Sequence, residues 1–163
     1  MALRTALKIL KPIHTFKAYN EQTLYDGIQK IDWSDYLKVQ QTFVVETTLY
    51  SEQFTHSQFV AQKVKDAIVD RFKTNTGERP SIDKDFPDLR IHIHIDRDFC
   101  TLSLDTSGGS LHQRGYKTAT NIAPINEVLA AGMLILSGWD GNAHFLDPMC
   151  GSGTIVAEAA MIA

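Results

Sequence analysis

The stretch His144-Phe-Leu-Asp-Pro-Met-Cys-Gly-Ser-Gly-Thr-Ile-Val-Ala-Glu-Ala-Ala160 constrains this chain more than any other. It reads as a short apolar strand, an acidic residue at the strand tip, a glycine turn and the start of an apolar helix. Gly151 and Gly153 carry no Cβ, so the backbone can turn tightly there and approach a ligand closely. The first N–H groups of the following helix lack intrahelical partners and favour a carboxylate or hydroxyls. Asp147 stands at the carboxyl end of the strand, where ligands of open α/β sheets bind. The competing reading is a glycine turn that only joins a core strand to a core helix.

Elimination narrows the ligand. A phosphate-binding loop needs Gly-Lys-Ser/Thr, and no lysine follows either glycine. A dinucleotide loop needs a third glycine for close helix packing, and Val156 stands there instead. What remains is the Asp-x-x-x-Gly-x-Gly form used for S-adenosylmethionine. The string Asp147-Pro148-Met149-Cys150-Gly151-Ser152-Gly153-Thr154 resembles motif I of class I RNA and DNA methyltransferases. Met149 takes the place of a glycine found in many members, a variant typical of one RNA-modifying subgroup. The resemblance implies that these eight residues contact the cofactor.

One strand–turn–helix unit is too little for a doubly wound fold, so the chain reads as a fragment of a longer enzyme. Its 163 residues suffice for one average domain or two small ones. A hydrophobic content of 44%, a charged content of 21% and a net charge of −3 are ordinary for a globular protein and exclude a uniformly basic nucleic-acid binder. All 16 Lys and Arg lie at or before Lys117, however, while only Glu127, Asp140, Asp147 and Glu158 carry charge beyond it. That break marks a boundary and permits an RNA-facing surface upstream of it. Arg4, Lys8 and Lys11 interrupt the N-terminal apolar residues, which form neither a signal peptide nor a membrane span. Cys100 and Cys150 read as reduced thiols of a cytoplasmic protein. Cys150 as a nucleophile conflicts with its place inside the glycine turn.

Periodicity orders the rest. Leu3 to Ala18 reads as extended chain broken at Pro12, then a helix over Glu21–Lys30 with Leu24 and Ile28 inward and Trp33 packed after it. Thr42–Tyr50 alternates as a strand with Phe43, Val45, Thr47 and Leu49 on one face. His56–Thr74 is the strongest helix, with Phe59, Val60, Val64, Ala67, Ile68 and Phe72 as its apolar stripe and Asn75-Thr-Gly77 as its end. Gly77 to Asp88 is a polar loop, and Arg90–Asp96 with Phe99–Thr106 form a hairpin.

This order, followed by Asp105-Thr-Ser-Gly-Gly-Ser-Leu-His-Gln-Arg-Gly-Tyr-Lys117, is similar to the THUMP domain, a small α/β RNA-binding module of RNA-modifying enzymes. Leu111–Lys117 with a helix over Ala123–Ala131 resembles the bridge from that module into a methyltransferase. Leu3–Leu10 and Phe16–Trp33 resemble the ferredoxin-like piece that precedes it, without that piece's first strand and helix. The pattern is nearest to bacterial THUMP-type 23S rRNA guanine-N2 methyltransferases; a THUMP-type tRNA guanine-N2 methyltransferase, or a THUMP module acting without catalysis, is the alternative. The resemblance implies an α/β (α+β) chain: residues 1–40 a partial ferredoxin-like piece, 41–110 the THUMP domain, and 111–163 a linker with the start of a Rossmann-like methyltransferase domain. The motif that positions the target amine and the acid that holds the cofactor ribose would lie beyond Ala163. The chain alone therefore supplies no catalytic residue and is expected to be inactive.

Remaining candidates carry two readings each. Lys63, Arg71 and Lys73 could touch RNA phosphates, although Asp66 and Asp70 interleave with them as on an ordinary solvated helix face. Arg114, Tyr116 and Lys117 combine basic and aromatic groups beside the junction, and the family resemblance makes RNA placement as good a reading as linker packing. His92 and His94 share one strand face without a third ligand at a characteristic spacing, which favours a polar sheet face over a metal site. Ser107-Gly-Gly-Ser110 is followed by Leu111-His112, not the Asp-Ser that a pyrophosphatase loop requires.

Overall fold

The computed structural model describes residues 3–116 and 125–163. The chain divides into two units, Leu10–Gly108 and Met1–Ile9 with Gly109–Ala163.

The Leu10–Gly108 unit is a mixed five-stranded sheet with two helices. In chain order it contains β1 (Leu10–Lys17), α1 (Glu21–Gln29), a 3₁₀ turn (Trp33–Asp35), β2 (Thr42–Tyr50), α2 (Ser57–Thr76), β3 (Ser81–Ile82), β4 (Leu89–Asp96) and β5 (Phe99–Asp105). The spatial order is β1-β5-β4-β2-β3. β4 runs parallel to β2, reached through the α2 crossover, with Val45 opposite Ile91 and Thr47 opposite Ile93. β4 and β5 form the antiparallel hairpin, with Ile93 opposite Leu102. Arg97 turns that hairpin at φ 53.

One face of the sheet packs on the helices. Ile91, Ile93 and Ile95 of β4, Cys100 and Leu102 of β5 and Phe43 of β2 are buried with Leu24 and Ile28 of α1 and Val60, Val64, Ala67, Ile68 and Phe72 of α2. Each of the buried Val, Leu, Ile and Phe side chains among these stabilises the fold by ~1.5–3 kcal/mol on leaving water. The indole of Trp33 donates to the Ile28 carbonyl at 3.0 Å, which satisfies its one polar atom inside this core. Asn20 caps α1 by accepting from the Thr23 N–H at 2.9 Å, and Gly77 ends α2 in the left-handed region at φ 75.

Four local expectations change. Phe59 is 45% exposed, because it lies one residue, ~100° of helix, off the Val60–Val64–Ala67–Ile68 seam. The strand β1 continues through Pro12, which an edge strand tolerates, and the irregularity falls between Pro12 and His14. The loop after Gly77 contains the two-residue strand β3, which adds to the edge of β2. β1 and α1 belong to the same sheet and core as β2–β5.

The second unit holds α3 (Glu127–Leu136) and α4 (Thr154–Ile162), packed together through buried Ala130, Ala131, Leu134 and Ala159. The helix expected over Ala123–Ala131 starts later, at Glu127, where the Asn126 side chain accepts from the N–H groups of Val128 and Leu129 at 2.9 and 3.3 Å. Ala123 and Pro124 lie outside the described residues. The strand expected before Asp147 does not form, and Leu146 is 85% exposed. A strand needs a neighbour for its N–H and C=O groups, and the described residues of this unit contain no second strand to supply one. No helix among the described residues is long and apolar enough to cross a membrane.

Candidate functional site

The glycine loop is built by backbone bonding. Asp147 turns its Oδ1 back to the Met149 N–H at 3.1 Å, and the Gly153 N–H donates to the Cys150 carbonyl at 2.7 Å. Gly151 and Gly153 take φ 55 and 75, the left-handed region where a side chain is strained. A Cβ at either position would meet nothing within 4 Å, so the space beside both glycines is open. Gly153 caps α4 without any side-chain bond, which leaves the first N–H groups of that helix to a ligand. Thr154 is buried and its hydroxyl lies 3.2 Å from that of Ser152, whereas Met149 is 90% exposed and the Cys150 thiol is also exposed. The eight expected cofactor residues therefore form one continuous turn that can receive a small ligand along its backbone. Cys100 is instead sealed under the sheet, where burial pushes its thiol up to about 12.

Helix α4 carries a feature that sequence reading missed. Glu158 is fully buried, and the Arg114 guanidinium lies 2.9 Å from its carboxylate. Tyr116 donates its hydroxyl to the same carboxylate at 3.1 Å, and Arg4 approaches it at 3.9 Å. Arg114 also donates to the Arg4 carbonyl, Arg4 to the Met161 carbonyl, and the Leu111 N–H to the Leu7 carbonyl. Burial and the Glu158 bond push the Tyr116 hydroxyl up to about 12. The polar heads of Arg114 and Tyr116 are thus engaged inside their own unit. The one sequence signal was a lone acid in the apolar helix Ile155–Ala160.

The α2 cations differ in their freedom. Lys63 lies 3.7 Å from Glu21 and stands over the Tyr25 ring at 5.9 Å. Arg71 is half-buried, with its Nε enclosed and without a hydrogen bond. Lys73 is exposed in the last turn of α2. Lys117 lies outside the described residues. His92 Nε2 and the Thr48 hydroxyl lie 3.0 Å apart, and His94 packs edge-on against Tyr50 at 5.7 Å, as side chains of the open sheet face do. Among the described residues no group of three His, Cys, Asp or Glu is placed to hold a metal ion.

A sheet with a parallel crossover in one unit and a glycine loop opening a helix in the other define a mixed α/β protein. The THUMP domain matches residues 18–105, and the RMKL-like, methyltransferase domain matches residues 114–163. The chain belongs to the THUMP-domain family, with RMKL-like methyltransferase sequence following the THUMP module. It is 46% identical over 163 residues to the ribosomal RNA large subunit methyltransferase K/L of Syntrophotalea carbinolica, an alignment covering 98% of this chain and 23% of that protein. The chain thus spans about a quarter of that relative's length. A possible methylase of Clostridium difficile 630 superposes with a TM-score of 0.82 at 36% identity, covering 99% of this chain and 43% of that one. SMU.472, solved with SAH, superposes with a TM-score of 0.79 at 32% identity, covering 98% and 42%.

Proposed function

We propose that this chain is the RNA-binding part and cofactor loop of a longer cytoplasmic enzyme that methylates guanine N2 in 23S rRNA with S-adenosylmethionine. The observation that carries the reading is the pair Gly151 and Gly153, both in the left-handed region beside open space at the start of α4. Similarity to a large-subunit rRNA methyltransferase and to SMU.472 with its bound SAH supports the same reading. In it, the RNA module ends near residue 110 and the methyltransferase part begins at residue 111.

The residues fit the cofactor. Gly151, Ser152 and Gly153 offer backbone that a methionine end can approach, and the free N–H groups of α4 suit its carboxylate. Asp147, Pro148, Met149, Cys150 and Thr154 shape the turn around them. When bound, S-adenosylmethionine supplies an electrophilic methyl group on a positive sulfonium; the protein supplies orientation and electrostatics. Lys63, Arg71 and Lys73 are the RNA contacts proposed for α2. Arg114 and Tyr116 serve RNA placement indirectly in this reading, by fixing the connector to α4, with Lys117 following them.

The test is methyl transfer from tritiated cofactor to 23S rRNA by the full-length protein, followed by nucleoside analysis. Label recovered as N2-methylguanosine is the expected result. Label in another nucleoside overturns the guanine assignment, and label in tRNA but not rRNA overturns the substrate. The 163-residue chain alone should transfer none.

A further inference from the structure

The Leu10–Gly108 unit has an open cleft of about 350 Å³ where α2 faces β3. Its walls include Lys65, Asp66 and Val69 of α2, Arg79 and Pro80 just before β3, and Ser81 of β3 itself. The charges in this region are sorted by what they bond. Asp83 accepts from the N–H groups of Asp85 and Phe86 at 2.9 and 3.0 Å, and those bonds hold its carboxyl below the usual range. Asp88 accepts from the N–H and hydroxyl of Thr42 at 2.8 and 3.0 Å. Both carboxylates are therefore committed to bonds within the fold.

The cations are not committed in that way. Arg79 is exposed and forms no ion pair among the described residues. Among the described residues Lys65 pairs only with its chain neighbour Asp66, at 3.2 Å, and both side chains keep solvent contact. Such a surface pair is worth ~0–1 kcal/mol, so an incoming phosphate competes with it readily. A guanidinium can take two phosphate oxygens at once, and an ammonium adds a point charge. The apolar edges of Val69 and Pro80 leave a wall against which a ribose can lie. Two cations lining a cleft of this size match one phosphate–sugar unit of a nucleic-acid backbone.

We propose that this cleft is a phosphodiester-binding site for RNA, with Arg79 and Lys65 as phosphate contacts and Asp66 as the acid that weakens the grip. It rests on the RNA-binding part of the function proposed above and places a contact on residues outside the α2 set Lys63, Arg71 and Lys73.

The test is filter binding of a 23S rRNA transcript to the intact protein across a salt series. Each phosphate contact contributes to the dependence of log affinity on log salt, and removing a cation that makes one lowers the slope by about one. Lys65→Ala with Arg79→Ala removes the grip on one phosphate and should lower the slope by about one, while Lys38→Ala, at an exposed lysine outside the cleft, should leave it unchanged. Asp66→Asn should tighten binding, which misfolding cannot do. An unchanged slope in a folded double variant overturns the cleft while leaving the RNA reading intact. Should the double variant misfold, Asp66→Asn decides: unchanged or weaker binding overturns the proposal. Failure of the wild type to retain 23S rRNA overturns both readings.

Discussion

Arg114 places its guanidinium 2.9 Å from the carboxylate of Glu158, whose side chain has no solvent exposure. The pair ties the connector after the THUMP module to the helix that the glycine loop opens. Removing one partner of a buried pair leaves the other charge unpaired, at a cost of ~3–5 kcal/mol. Glu158→Ala should therefore destabilise the Gly109–Ala163 unit by about that much, with Arg4→Ala costing less, since Arg4 stands 3.9 Å away and is partly exposed. Urea titrations of the variants check this; equal losses for Glu158→Ala and Arg4→Ala would show that the Arg114 pair is not the anchor.

Gly27 reverses an ordinary rule. Gly→Ala inside a helix usually stabilises by ~1 kcal/mol. A Cβ at Gly27, however, would stand 2.1 Å from the Phe16 ring, so the ring would have to move within the core. Overpacking of this kind costs ~1–3 kcal/mol, which outweighs the helix gain. Gly27→Ala should lower the melting temperature, and Phe16→Leu in the same chain should recover part of the loss.

Two tyrosines should resist ionisation. The Tyr25 hydroxyl donates to Asp70 at 2.7 Å, and that bond pushes it up to about 12; burial and Glu158 push Tyr116 up to about 12. Both folded values lie above the ordinary value of 10.0, so their contribution to stability is full below pH ~10 and is lost as pH rises towards 12. A tyrosinate absorbance titration of the folded protein should show these two late steps. Tyr116→Phe should remove one of them, and Tyr25→Phe the other.

Most of the Leu10–Gly108 unit was legible because its signals are local. The alternation of Thr42–Tyr50, the 3.6-residue seam from Val60 to Phe72 and the Asp96-Arg97-Asp98 hairpin each need only neighbours in sequence. The parts that were not legible depend on distant residues. Nothing near Gly27 announces Phe16, nothing in Ser81-Ile82 announces the edge of β2, and a lone Glu158 does not reveal Arg4, Arg114 and Tyr116. The error at His144–Asp147 has the same origin: an apolar run becomes a strand only beside another strand. The glycine loop was legible because its geometry is written in residue types, two glycines that both adopt positive φ.

In the proposed function the turn from Asp147 to Thr154 holds the methyl donor while the THUMP module holds RNA. The most direct measurement compares wild type and Gly151→Val in the full-length protein, with S-adenosylmethionine affinity read by calorimetry and 23S rRNA affinity by filter binding at one fixed salt concentration. Valine at φ 55 is strained and puts a branched side chain into the open space beside the loop. Gly151→Val should lose cofactor binding with rRNA binding largely kept; unchanged cofactor affinity in a folded variant would contradict a cofactor role for the loop.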